Sequence, residues 1–136
     1  MATKRRTTRK KNLPLYRRKK NLTTEQLKKI YFGDKKAPES HACIYCGKKS
    51  KSYHIDHKYP KAKSRNPNRK SNLVVACSRC NLSKADNTIS IWLRRIRSSK
   101  KSSDKTLYRK IIKNNKGKRS GIAKTVRRIR DSKNKT

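Results

Sequence analysis

Four cysteines stand in two C-x-x-C pairs, Cys43/Cys46 and Cys77/Cys80. Each pair can offer two thiolates to one ion from a tight turn, and four such ligands are the usual shell of a structural Zn2+. Two disulfides are the competing use of the same residues. Paired C-x-x-C in a chain without a secretory signal favours zinc and a reducing cytoplasm. Between and just after the pairs lie His54, Asp56, His57, Asn72 and Asn81. The carboxylate of Asp56 and the amide oxygen of Asn81 are a sparse set of hard ligands suited to Mg2+ or Mn2+, with the remaining positions open to water and phosphate. Asp56 and Asp86 are the two carboxylates of this stretch. That is too few for a pair of bridged metals.

These residues need elements to bring them together. Asp56 and His57 are neighbours, so their side chains leave opposite faces of an extended backbone and the chain must bend there to use both. Residues 50–56 alternate, Tyr53 and Ile55 against His54 and Asp56, which predicts a strand ending near His57. Residues 58–71 hold two prolines and many cations and read as a solvated loop. Leu73 to Ala76 predicts a second strand, and Ser78 to Lys84 a helix that carries Asn81. The order is strand, loop, strand, helix, with the cysteines tying both ends.

Further helices flank this unit. Thr23 with Gln26 three residues on forms a capping box, Leu22 and Leu27 a hydrophobic staple, and Gly33 a stop, so residues 22–33 predict a helix. Residues 88–97 predict another, with Thr88 as N-cap and Ile89, Trp92, Leu93 and Ile96 on one face. Trp92 reads as a core anchor. Two more stripes follow, Leu107, Tyr108, Ile111 and Ile112, then Ile122, Val126 and Ile129. These last helices are strongly basic and are expected to order on DNA. The chain divides on this reading into a flexible basic arm (1–21), a central domain (22–97) and a basic helical extension (98–136).

Charge names the class of partner. With 43 Lys+Arg against 7 Asp+Glu the formal net charge is +36 over 136 residues, a surface that calls for a polyanion. No apolar run is long enough to span a bilayer, so the partner is nucleic acid, held through phosphates and released by salt. With 30% apolar residues the core is small, and a metal staple is the expected remedy.

The run C-x-x-C, D-H-x-x-P (Asp56, His57, Pro60), N-L (Asn72, Leu73), C-x-x-C-N-x-x-K (Cys77, Cys80, Asn81, Lys84) resembles the HNH endonucleases, in their branch with a four-cysteine zinc. The resemblance spans about residues 23–97. It implies a small α+β fold, a zinc-stapled ββα-metal core flanked by helices with basic arms. It also implies a metal-dependent DNA endonuclease, nicking or cutting both strands, of phage or mobile-element type such as a homing enzyme, working in the cytoplasm of the host. By position, His57 matches the general base, Asp56 the first ligand of the catalytic ion and Asn81 the second, while Asn72 braces the loop. Lys84 matches a basic residue near the phosphate, and Arg79 and Lys58 are expected to join it on the nucleic acid. Surrounding cations and the metal are expected to keep His57 neutral. The alternative is a zinc-stapled nucleic-acid-binding protein without catalysis, like a small ribosomal protein. Asp56 argues against that, because a binder has no need of an acid in a field of cations.

Overall fold

The computed structural model describes residues 22–61 and 65–132. The expected basic arm, residues 1–21, lies outside the described residues. Helix α1 (Thr24–Phe32) starts at Thr23, whose hydroxyl accepts the Gln26 N–H while the Gln26 side chain accepts the Thr23 N–H. Strands β1 (His41–Ala42) and β2 (Lys49–Ser50) pair antiparallel and frame the first knuckle. Strand β3 (His54–His57) pairs antiparallel with β4 (Leu73–Ala76), placing His54 opposite Ala76, Asp56 opposite Val74 and His57 opposite Leu73. A 3-10 turn, Lys70–Asn72, leads into β4, and α2 (Ser78–Lys84) follows it. The expected ββα core is therefore β3, β4 and α2. Helices α3 (Ile89–Ser98), α4 (Ser102–Asn115) and α5 (Gly121–Asp131) complete the described chain.

All four residues of β4 are buried, because the two-stranded ribbon is covered on both faces. Leu73 and Val75 pack with Tyr53, Ile55 and Leu27 of α1 in one apolar cluster, which Leu22, Ile30 and Phe32 partly cover. Val74 and Ala76, one residue out of phase, join the larger cluster of Tyr45, three of the cysteines and the apolar faces of α3, α4 and α5. This is the period-two alternation of a strand buried on both sides. Trp92 is the anchor of the larger cluster, fully buried, with its ring edge-on to Tyr45 at 5.0 Å and its indole N–H donating to Ser83 Oγ at 2.8 Å.

The expectation that the last helices order only on DNA does not hold. Leu107, Ile111, Ile122, Val126 and Ile129 are buried in the same cluster as Trp92, so α4 and α5 are ordered by their own apolar stripes. Several cations turn inward as well. Arg97 donates to the carbonyls of Ile129 in the last turn of α5 and Ser132 just past it, and Arg127 to those of Asn115 at the end of α4 and Lys118 beyond it. The last carbonyls of a helix have no partner within it, and the guanidinium groups supply one. Asn114 and Asn115 at the end of α4 reach the first knuckle, each donating to the Tyr45 carbonyl at 3.0 Å. Gly47 permits this approach. It sits at φ 81°, and a Cβ there would lie 2.4 Å from Asn114 Oδ1.

Candidate active site and metal centre

The four-cysteine cluster assembles as its spacing predicts. The four cysteines are unpaired, and their sulfurs all lie within 4.8 Å of one another. Cys46 Sγ and Cys77 Sγ are 3.7 Å apart, far beyond a disulfide bond. A tetrahedron of sulfurs at the usual ~2.3 Å from zinc has edges of about 3.8 Å, so the donor set fits that ion. Electrostatics points the same way. Burial and its sulfur neighbours push the Cys46 thiol up to about 11, and the hydrogen bond with Cys43 pushes Cys80 far above the ordinary thiol range while drawing Cys43 down to about 5. Four thiolates this close ionise together only around a cation.

The knuckle also builds the helix that bears Asn81. Cys77 is the N-cap of α2, its Sγ accepting the Cys80 N–H at 3.4 Å. Asn81 follows Cys80 directly and faces β3 across a pocket of about 270 Å3, whose lining includes Asp56, His57, Pro60, Lys61, Asn81 and Asp86. Asp56, His57 and Asn81, the three residues singled out for chemistry, thus meet at one pocket. Ala85 lines it too and holds φ 50°, a conformation that L side chains seldom adopt.

Asp56 is only 6% exposed, and its Oδ2 receives the Tyr45 hydroxyl at 2.7 Å and the Lys84 ammonium at 3.2 Å. Burial, and then the negative Asp56, hold the Tyr45 phenol well above its ordinary value, which keeps it a donor. With Oδ2 doubly engaged from behind, Oδ1 is the oxygen left for a ligand. His57 pairs with Asn68, Nε2 to Oδ1 at 2.7 Å. An amide oxygen only accepts, so Nε2 carries the proton in this pair and Nδ1 keeps the lone pair of the neutral ring. Burial lowers the His57 pKa, the Asn68 bond opposes it, and the Lys61 cation lowers it further. Burial, and not the surrounding cations, is the larger cause.

Two expectations need correction. The loop after β3 is not simply solvated: Pro67 and Asn68 are buried, because Asn68 turns in to hold His57. Lys84, expected near the phosphate, does not line the pocket. It is fully buried, and its ammonium donates to the His57 carbonyl at 2.6 Å and pairs with Asp56. Lysine four places along α2 from Cys80 lands under the strand, not over the pocket, and the acid of the site is what makes its burial tolerable. Asn72 lies outside the pocket. It braces the loop, its Oδ1 accepting the Tyr59 N–H and its Nδ2 donating to the carbonyls of Tyr59 and Pro67. His54 pairs with Ser78 Oγ at 3.1 Å. Exposed Arg79 donates to the Ser103 carbonyl of α4, and Lys58 lines a separate cavity beside Tyr59. Sequence reasoning missed Tyr45 and Asn68. Tyr45 was hidden as a spacer within C-x-x-C, and Asn68 follows a proline in a segment whose composition reads as a turn.

Residues 43–87, which hold both knuckles, the pocket acids, His57 and Asn81, match the model of a known family, HNH endonuclease. The chain carries an HNH domain. The CRISPR-associated endonuclease Cas9 of Actinomyces naeslundii is 43% identical over 54 residues, 38% of this chain but 5% of the relative. The chain therefore shares only a small part of that protein's length. The crystal structure of the type II-C Cas9 enzyme from the same species aligns with 97% of this chain and 14% of its own, at a TM-score of 0.41 and 24% identity. The HNH domain is closed on one side by α1 and on the other by α3, α4 and α5. Among the described residues no helix is long and apolar enough to cross a membrane.

Proposed function

We propose that the chain is a metal-dependent DNA endonuclease whose HNH domain hydrolyses phosphodiester bonds. The observation that carries this reading is the meeting of Asp56, His57 and Asn81 at one pocket, with His57 fixed by Asn68 so that Nδ1 is the free proton acceptor. His57 is the general base: Nδ1 takes a proton from water as the oxygen attacks phosphorus, and Asn68 stabilises the protonated ring through the Nε2 proton. Asp56 Oδ1 and the Asn81 amide oxygen would hold one Mg2+ or Mn2+, which supplies charge stabilisation for the phosphoryl and leaving oxygens. Tyr45 and Lys84 are positioning residues that set the Asp56 carboxylate from behind. The formal charge of +36 supports a nucleic-acid substrate bound by its backbone, and the endonuclease description of the Actinomyces relative supports internal cutting of that substrate.

A non-catalytic binder is the second reading, favoured by the buried Lys84–Asp56 pair, which gives the acid a structural use. Supercoiled plasmid incubated with Mg2+ or Mn2+ separates the two. The parent is expected to relax or linearise it. His57→Ala is expected to fold, keep zinc and bind DNA while cutting ~10² to 10⁴ more slowly at every metal concentration. Equal cutting by parent and variant, or no cutting by either, moves the weight to the binder.

A further inference from the structure

A second, larger cavity opens beside the end of β3, and nothing in the proposed hydrolysis uses it. It has a volume of about 490 Å3 and is floored by Ile44, Val74, Ile89 and Ile122. Lys58 and Tyr59 stand on its wall, as do the first turns of α3 and α5 and Arg128, and no acid lines it. An apolar floor with a cationic rim suits a ligand with a flat apolar part and an anionic part. The volume lies within the range of small-molecule sites, ~300 to 1,000 Å3, much more than one phosphate fills.

Tyr59 is the second observation. Its side chain is 61% exposed, yet its backbone is held on both sides by Asn72, which accepts its N–H and donates to its carbonyl. A large aromatic ring mounted rigidly in the open on a polycationic protein has the properties of a stacking platform for a base. Arg128 is likewise placed, its guanidinium donating to Ser90 Oγ at 3.1 Å and so linking α5 to α3 at the cavity. Position in the chain ties the cavity to the chemistry. Lys58 and Tyr59 directly follow His57, and two residues of extended chain cover ~7 Å, about two stacked nucleotides of one strand.

Resting on the endonuclease reading above, we propose that this cavity is a nucleotide subsite. It holds one unstacked nucleotide of the strand being cut, near the scissile bond, with its base over the apolar floor beside Tyr59 and its phosphate between Lys58 and Arg128.

The probe is thymidine 3′,5′-bisphosphate, bound to the zinc-loaded full chain without added divalent metal, with inorganic phosphate as competitor. Gly121 allows the cavity to be filled: it lines the wall, has an ordinary backbone conformation, and a Cβ there meets nothing within 4 Å. Gly121→Trp and Tyr59→Ala are expected to weaken binding of the bisphosphate roughly 10- to 100-fold, and inorganic phosphate is expected to compete poorly. Exposed Arg128→Ala, which leaves the core untouched, should weaken it also and stands in if Gly121→Trp fails to fold. His57→Ala should bind as the parent does. Parent-like binding by folded Gly121→Trp or by Arg128→Ala overturns the subsite, as does phosphate competing as well as the bisphosphate. Plasmid cutting is scored separately: a parent that cuts but does not bind the probe refutes the subsite alone, and one that binds the probe but never cuts refutes the endonuclease alone.

Discussion

A chain ended at Ser98 should not fold, although the ligands, the pocket and every residue of the HNH domain would remain. The deletion removes Leu107, Ile111, Ile122, Val126 and Ile129 from the larger apolar cluster, each at most 7% exposed. Burying a side chain of Leu or Ile size stabilises by ~1.5 to 3 kcal/mol, so the loss is on the order of 10 kcal/mol. Trp92, Leu93 and Ile96, all fully buried, would face water in addition. A domain of this size has a net stability of roughly 5 to 15 kcal/mol, and the deletion consumes most or all of it. The knuckle suffers directly as well, because the Tyr45 carbonyl loses both Asn114 and Asn115. Circular dichroism melting and zinc content of the truncated chain provide the assay, with Ile111→Asp in the full chain as a single-residue counterpart. Both should show a lost or strongly lowered transition and substoichiometric zinc. A truncated chain that melts cooperatively near the parent temperature with one zinc bound would refute the argument, and would make the last helices an appendage.

Cys80→Ser should cost the fold, since a structural zinc contributes ~10 kcal/mol or more in small zinc-dependent units; full zinc occupancy with an unchanged melt would show that the cysteines are not the scaffold. Lys84→Met should leave Asp56 buried without its cation and lower stability by about 3 to 5 kcal/mol, while DNA affinity measured below the melting transition stays near the parent value. A drop in affinity with unchanged melting would return Lys84 to the phosphate contacts.

The local elements were legible because their signals are local. The capping box at Thr23 and Gln26, the Thr88 cap and the stripe through Trp92 each fix an element from a few neighbouring residues, and each forms as read. The cysteine cluster was legible for a different reason, since metal geometry constrains residues that are far apart in the chain. What stayed hidden depends on pairing across the fold. Nothing near Lys84 says that its ammonium will meet Asp56 and the His57 carbonyl, and surface charge is the ordinary fate of a lysine. Asn68 looked like loop composition until β3 and the turn before β4 brought it to His57. The basic helices misled for a related reason: their charge density hid stripes of only three or four apolar residues, which suffice once α3, α4 and α5 share a core.

That sharing explains how so small a site can be held to a fixed geometry. A two-stranded ribbon is marginal by itself, yet β3 must present Asp56 on one side and His57 at its end with little freedom. The protein clamps it from both faces, with α1 against Ile55 and with the zinc knuckle and three helices behind Val74 and Ala76. Tyr45 joins the two demands. Its ring packs on Trp92 in the core, its hydroxyl sets the Asp56 carboxylate, and its carbonyl is gripped by the end of α4. A disturbance of α4 is therefore transmitted to the acid of the site through one residue of the first knuckle.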